Sequence, residues 1–106
     1  MTRGDDQRIA DILDACDELD MIITLKQQES TPDQVLLRSA ERLLEIIGEA
    51  ASQVSDERTA TYADIDWRSL ARLRILLAHH YHRTDPELIW SYATAEAPAL
   101  ARALRQ

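Results

Sequence analysis

The sequence predicts an all-α fold, an up-and-down bundle of four to five helices that forms a single domain over residues 1–106. The chain has only two glycines and three prolines among 106 residues, and such sparse turn-forming residues favour a few long helices over many strands. Apolar residues recur at spacings of three and four, the period of one buried helix face. Two segments, residues 31–34 and 84–87, have the residue order of helix starts.

The first predicted helix begins after Asp5 or Asp6, either of which can cap it. Its apolar stripe comprises Ile9, Ile12, Leu13, Cys16, Leu19 and Ile23. The polar residues 26–30 end this helix or loosen it into a loop. Because the chain has a single cysteine, Cys16 excludes an intramolecular disulfide and a multi-cysteine zinc site, and we expect it in the core.

The second predicted helix has Thr31 as its N-cap, Pro32 as its first residue and Gln34 completing a capping box. It runs to about Val54. A glycine inside a helix costs stability, so Gly48 indicates a close approach of another backbone.

A polar connection over residues 55–66, with a short turn near Tyr62, leads to the third helix, which Asp64 or Asp66 caps. That helix begins near Trp67, and its apolar residues are Leu70, Leu73, Leu76 and Leu77. Pro86 forbids helix at Asp85 and allows it afterwards, which predicts the last helix start. Pro98 then breaks or kinks this helix, while Trp67 and Trp90 are predicted core or dimer anchors.

Charge is distributed unevenly along this acidic chain, whose net charge is −7 and whose pI is about 4.8. Residues 67–84 contain four of the 12 basic side chains and all three histidines, but none of the 19 acidic ones. This window predicts a focused site for an anion, with a phosphodiester as the leading candidate, or a partner interface. No run is long enough to span a membrane and residues 1–6 are not a secretory signal, so we expect a cytoplasmic protein.

Three candidate site residues lie on the third helix. Arg74 and Tyr81 are seven residues apart and share a helix face, whereas Arg74 and His79 are five apart and differ by roughly 140° around the axis. For the three side chains to converge, either the helix loosens near His79 or a second copy of the chain completes the site.

Residues 74–81 read RILLAHHY, which resembles the Arg-x-x-x-x-His-x-Tyr motif of HEPN-domain toxins, in particular the HepT-like group that is paired with MNT nucleotidyltransferase antitoxins. The flanks agree with this. Residues 42–51 resemble the Gly-Glu-Ala helix of that group, residues 65–67 its entry into the motif helix, and residues 84–90 with the later proline its closing helix. The likeness extends over residues 8–104.

This resemblance implies a metal-independent endoribonuclease, without a cofactor, that cleaves mRNA or tRNA. It implies a homodimer formed through the motif-bearing helices, with two motif copies facing one another across a cleft. Arg74 and His79 would be catalytic, and Tyr81 would support the site and receive AMP from the antitoxin. His79 can transfer a proton near neutral pH and Arg74 can bind the phosphate.

The other polar residues of the window have two interpretations each. His80 and His82 are auxiliary proton-transfer groups or decorate a solvated turn, and a metal site is not expected because adjacent helical histidines diverge by about 100°. Arg68, Arg72 and Arg83 contact RNA or are solvated helix residues.

Two further functional alternatives remain open. The family commonly has a polar residue, often Asn, where this chain has Ile75, so the protein could be a catalytically degenerate helical module that docks a nucleotidyltransferase partner or a nucleotide. A purely structural dimer subunit is the third reading. The carboxylates of Glu45 and Glu49 are expected to be solvent-exposed or paired with Arg38 and Arg42.

Overall fold

The computed structural model describes residues 4–79 and 85–106, with side chains for all of these except Ala78 and His79. Six α-helices and one π-helical segment make up the fold of these residues. Their bounds are α1 Asp5–Gln28, α2 Asp33–Ala51, α3 Asp56–Thr59, α4 Trp67–His79, α5 Pro86–Ser91, the π-helical segment Tyr92–Glu96 and α6 Ala97–Leu104. The all-α prediction is therefore confirmed.

The buried face of α1 follows the predicted stripe closely. The buried residues are Ile9, Ile12, Ala15, Cys16, Leu19 and Ile22, while Leu13 and Ile23 are only partly buried. The predicted cap is wrong, since Gly4 occupies the N-cap position and no side chain caps the helix. Asp5 instead lies in the first turn, where its carboxylate accepts hydrogen bonds from the backbone N–H and the hydroxyl of Ser55, at 2.9 and 2.6 Å.

The predicted start of α2 is also wrong in detail. Pro32 occupies the N-cap position in an extended conformation, and no side chain caps the helix. Thr31 therefore lies one residue too early to reach the first free N–H groups, which excludes the capping box with Gln34. The helix ends at Ala51 rather than near Val54, although Val54 is buried in the core all the same.

The prediction for Gly48 is confirmed, because α2 packs between α1 and α4 and the backbone of α4 approaches α2 closely at this glycine. A Cβ atom at Gly48 would lie 2.7 Å from the backbone nitrogen of Arg74 and 3.1 Å from the carbonyl oxygen of Leu70. Any side chain here would push the two helices apart.

The connection between α2 and α4 contains the one-turn helix α3, which the sequence analysis did not predict. Asp66 caps α4, since its carboxylate accepts hydrogen bonds from the N–H and the hydroxyl of Ser69 at 3.1 and 2.7 Å. Of the two predicted caps, Asp66 is therefore the one used. The rings of Tyr62 and Trp67 pack at 6.0 Å between centroids, and Trp67 lies partly buried against the core.

The last helical region begins at Pro86, as predicted, and Asp85 is the N-cap of α5. The carboxylate of Asp85 accepts from the N–H groups of Glu87 and Leu88, at 3.0 and 3.4 Å. Pro98 does not break the helix: the π-helical segment lies directly before α6, of which Pro98 is the second residue. Since proline has no N–H for the carbonyl of residue 94, a widened turn here accommodates the misfit.

One hydrophobic cluster joins α1, α2, α4, α5 and α6. Its largest fully buried side chains are Ile12, Leu19, Leu44, Ile47 and Ile89. Trp90 packs partly buried against it, with the Lys26 ammonium 4.7 Å from its ring centroid. No helix in the described part of the chain has both the length and the apolar character needed to cross a bilayer.

Candidate functional site

Arg74, the first candidate catalytic residue, lies in the middle of α4 with its side chain 47% exposed. Its Nη1 donates to Oε2 of Glu49 on α2 at 3.3 Å, and the Glu49 side chain is itself 50% exposed. The guanidinium therefore lies at the surface where α2 and α4 meet, accessible to a ligand from solvent.

The second oxygen of Glu49 is also engaged, because Oε1 accepts a hydrogen bond from Nε2 of Gln53 at 2.7 Å. Gln53 follows Glu49 by four residues and so lies on the same face of the chain. The two oxygens of the carboxylate thus hold one neighbour each, Gln53 from the same segment and Arg74 from the facing helix.

The expectation that the carboxylates of Glu45 and Glu49 are solvent-exposed or paired with Arg38 and Arg42 is met in part, since Glu49 is exposed but its ion-pair partner lies on α4. Glu45 pairs with Arg42 at 3.2 Å, as expected, whereas Arg38 pairs with Glu41 at 3.7 Å. Glu49 pairs with Arg74 instead of a neighbour on its own helix. The signal that could have identified this pair is Gly48, since a glycine that admits another backbone also brings the residue beside it close to that helix.

His79 is the last residue of α4, and its side chain lies outside the described residues. His80, Tyr81, His82 and Arg83 lie outside them as well. The convergence of Arg74, His79 and Tyr81 therefore stays a prediction. What the structure adds is that α4 is helical through His79, so the helix does not loosen between Arg74 and His79.

A protein-family model described as “Ribonuclease HepT-like” matches residues 12–106 of the chain. The chain belongs to the ribonuclease HepT-like family. This match includes all of α2 and α4 together with the segment that contains the predicted motif, and it confirms the family resemblance inferred from the sequence.

Individual proteins agree with the family match. A Methanocaldococcus jannaschii protein named “Putative RNase MJ0127” is 32% identical over 82 residues, which cover 77% of this chain and 68% of the relative. A Caldanaerobacter subterraneus protein named “Putative RNase TTE0752” is 29% identical over 90% of this chain and 86% of its own length. A Thermococcus cleftensis protein named “Probable ribonuclease HepT” is 36% identical over 56% of this chain and 54% of its own length. No solved structure gives a significant match.

The motif helix of this HepT-like protein has an exposed apolar surface beside Arg74. Ile75 and Leu76 are 50% and 47% exposed, and Leu88 on α5 is 53% exposed. The apolar residues of α4 differ in burial: Leu70 and Leu73 are buried and Leu77 packs partly against the core, whereas Leu76 is exposed. Three half-exposed aliphatic side chains on α4 and α5 are available for contact with another molecule.

Arg68 and Arg72, the predicted RNA contacts on α4, are exposed but do not lie beside Arg74. Arg72 and Arg74 are two residues apart and therefore about 160° apart around the helix. The two arginines lie nearer Asp66, whose pKa is lowered mainly by its hydrogen bonds from Ser69 and additionally by these two positive charges.

The other groove, the metal-ligating side chains and the cysteine of the described residues do not form a second candidate site. A groove of about 320 Å³ between α4 and the C-terminal helices contains Asp66, Tyr92 and Glu96, and burial raises the pKa of Tyr92. Within residues 4–79 and 85–106, no three side chains of metal-ligating types lie close enough together to form a metal site. Cys16 is buried as predicted, and burial raises the pKa of its thiol to about 11.

Proposed function

We propose that this HepT-like protein is a metal- and cofactor-independent endoribonuclease, the toxin of a cytoplasmic toxin–antitoxin pair, whose substrate is mRNA or tRNA. One observation carries the proposal. The family match spans residues 12–106 and so includes the segment in which Arg74, His79 and Tyr81 have the spacing of the HEPN motif. The exposure of the Arg74 guanidinium supports it, since a phosphate-binding arginine must be reachable from solvent.

The proposed reaction is a transesterification within RNA. His79 removes the proton of a ribose 2′-hydroxyl, whose oxygen attacks the adjacent phosphorus while the bond to the 5′-oxygen breaks. A protonated imidazole, from this or the partner copy, returns a proton to the leaving 5′-oxygen. Arg74 donates to the phosphate oxygens as charge develops on them, because the hydrogen bond to Glu49 uses one N–H of a guanidinium that has five.

A homodimer completes this proposed site. In a regular helix that includes both residues, Arg74 and His79 are separated by roughly 140°, and α4 is helical through His79. A second α4 packed against the first supplies His79 of one copy opposite Arg74 of the other. The half-exposed Ile75 and Leu76 on the same helix support this, because a dimer contact would bury them.

The remaining motif residues have supporting roles in the proposal. The antitoxin, an MNT-type nucleotidyltransferase, transfers AMP from ATP to the phenolic oxygen of Tyr81 with release of pyrophosphate and the phenolic proton. The added bulk and negative charge then repel an RNA phosphate from the site. His80 and His82 are auxiliary proton carriers, and Arg83 is a contact for the RNA backbone.

The test uses purified protein and defined RNA in the presence and absence of a chelator. Wild type is expected to cut RNA equally under both conditions and to leave an oligonucleotide with a 2′-deoxy residue at the cleavage point intact. Arg74→Ala and His79→Ala should lose activity by at least about 100-fold. Arg42→Ala, which removes an exposed arginine of α2, is the matched control. Equal cleavage by all variants, or none by wild type, would overturn the proposal.

Ile75 favours a second candidate function, a helical module without catalysis that docks a nucleotidyltransferase or a nucleotide. Its side chain is 50% exposed next to Arg74, where an apolar group cannot orient a phosphate. This alternative predicts a stable complex with such a nucleotidyltransferase and no RNA cleavage by the protein purified without it. Cleavage that disappears in Arg74→Ala would exclude it.

A further inference from the structure

We propose that Glu49 is a positioning residue that orients the guanidinium of Arg74, and that Gln53 in turn holds Glu49. This inference rests on the proposed function, in which Arg74 binds the scissile phosphate. Neither residue belongs to the Arg-x-x-x-x-His-x-Tyr motif: Glu49 lies on α2, which packs against α4, and Gln53 lies in the turn that follows α2.

The close packing of the α2 and α4 backbones brings Glu49 next to Arg74. At Gly48 the absence of a Cβ allows the main chain of α4 to approach, so that the backbone nitrogen of Arg74 is 2.7 Å from where that atom would stand. Glu49 is the next residue along α2. Its carboxylate therefore reaches the guanidinium, although the two residues are 25 positions apart in the sequence.

Each oxygen of the Glu49 carboxylate accepts one hydrogen bond. Its Oε2 accepts from Nη1 of Arg74 at 3.3 Å, and its Oε1 accepts from Gln53 at 2.7 Å. Because Gln53 is neutral, it restricts the rotation of the carboxylate without cancelling its charge. A long, flexible arginine side chain on a surface otherwise samples many rotamers, and a fixed anionic acceptor reduces that freedom.

The ion pair between Glu49 and Arg74 contributes little to the stability of the fold. Both partners are about half exposed, at 47% and 50%, and exposed ion pairs contribute little to folding stability. The pair therefore matters for orientation rather than for holding the fold together. Since the contact to Glu49 is through Nη1 alone, the guanidinium retains N–H donors for the phosphate, and binding of RNA does not require the pair to break.

The test compares Glu49→Ala, Glu49→Gln and Gln53→Ala with Glu45→Ala as the matched control. Glu45 is one turn away on the same helix and pairs with Arg42 instead, so its loss removes the same charge without touching Arg74. Glu49→Ala should lower kcat roughly tenfold with little change in KM and in melting temperature, as expected for lost positioning. Glu49→Gln should restore much of kcat, because its amide oxygen still accepts from Arg74, and Gln53→Ala should show a smaller loss than Glu49→Ala.

Two results would overturn the inference. One is an unchanged kcat in Glu49→Ala. The other is an equal decrease of KM in Glu49→Ala and Glu49→Gln, which would mean that Glu49 only competes with RNA for the positive charge.

A readout independent of activity is the NMR signal of the Arg74 guanidinium, whose N–H groups should exchange and rotate faster in Glu49→Ala than in Glu45→Ala. If this NMR change occurs but Arg74→Ala cleaves RNA normally, the proposed function fails and the contact between Glu49 and Arg74 stands. If Arg74→Ala is inactive but Glu49→Ala behaves as wild type, only the positioning inference fails.

Discussion

The backbone nitrogen of Arg74 lies directly opposite Gly48, 2.7 Å from the place where a Cβ atom of that residue would stand. This contact sets the separation of α2 and α4 at the level of the candidate site. The same glycine therefore determines how the two helices pack and which side chain of α2 can reach Arg74.

Replacement of Gly48 by alanine is expected to destabilise the protein in spite of the better helix propensity of alanine. The gain in propensity is about 1 kcal/mol, whereas forcing a methyl group against a backbone costs about 1–3 kcal/mol. We expect the difference, a net loss of up to about 2 kcal/mol, to be measurable by urea denaturation. Gly4→Ala is a control for the clash alone, because a Cβ there meets no atom within 4 Å, although Gly4 is the N-cap of α1. A Gly48→Ala variant more stable than wild type would contradict the close contact.

A double substitution on the exposed face of α4, Ile75→Asp with Leu76→Asp, should leave the helical content unchanged and give a monomer. Both side chains are about half exposed in the single chain, so the charges cost little there but would be buried in a dimer without partners. Light scattering coupled to size exclusion measures the mass of each form. The control is Met21→Asp on α1, also exposed, which should keep the mass of wild type. A wild-type monomer, or a dimeric double variant, would argue against dimerisation through α4.

Stability is expected to fall in acid because of Asp5 and Asp66. Hydrogen bonds from Ser55 and from Ser69, respectively, lower the pKa of these two carboxyls below the ordinary value of 3.8. A depressed pKa in the fold adds stability above the ordinary value, and this stability is lost as the pH falls through the folded value. Urea midpoints should therefore decrease below about pH 4. This decrease should be smaller in the double variant Asp5→Asn with Asp66→Asn than in Asp20→Asn, which replaces an exposed carboxylate of α1. The same pH dependence of the urea midpoint in both variants would contradict the role given to Asp5 and Asp66.

Cys16 should be unreactive in the folded protein. Its thiol is buried on α1, and burial raises its pKa from 9.0 to about 11, so the reactive thiolate is scarce at neutral pH. A thiol reagent at pH 8 should label native protein far more slowly than protein in urea. Because the fold favours the protonated thiol, stability should decline as the pH rises from about 9 towards 11. Rapid labelling of native protein would show that α1 does not bury this residue.

The long helices, the cap of α4 and the start of α5 could be predicted because they depend on neighbouring residues. Asp66 and Asp85 cap α4 and α5 through N–H groups two or three positions ahead, which is a local relationship that the sequence displays. The same reasoning went wrong at Thr31, where Pro32 occupies the cap position. The apolar spacing of α4 also does not show that Leu76 is half exposed whereas Leu77 packs against the core. Periodicity identifies an apolar face but not how much of it another element covers.

The sequence by itself determined the all-α class, the approximate helix bounds, the family and the identity of Arg74 as a candidate. It also indicated that some backbone approaches Gly48. Only the tertiary structure decided that this backbone is α4, that Glu49 pairs with Arg74 rather than with Arg38 or Arg42, and that Ile75 is half exposed. The physical reason is that helical spacing specifies which residues share a face, whereas the element opposite that face is set by the packing of the whole core.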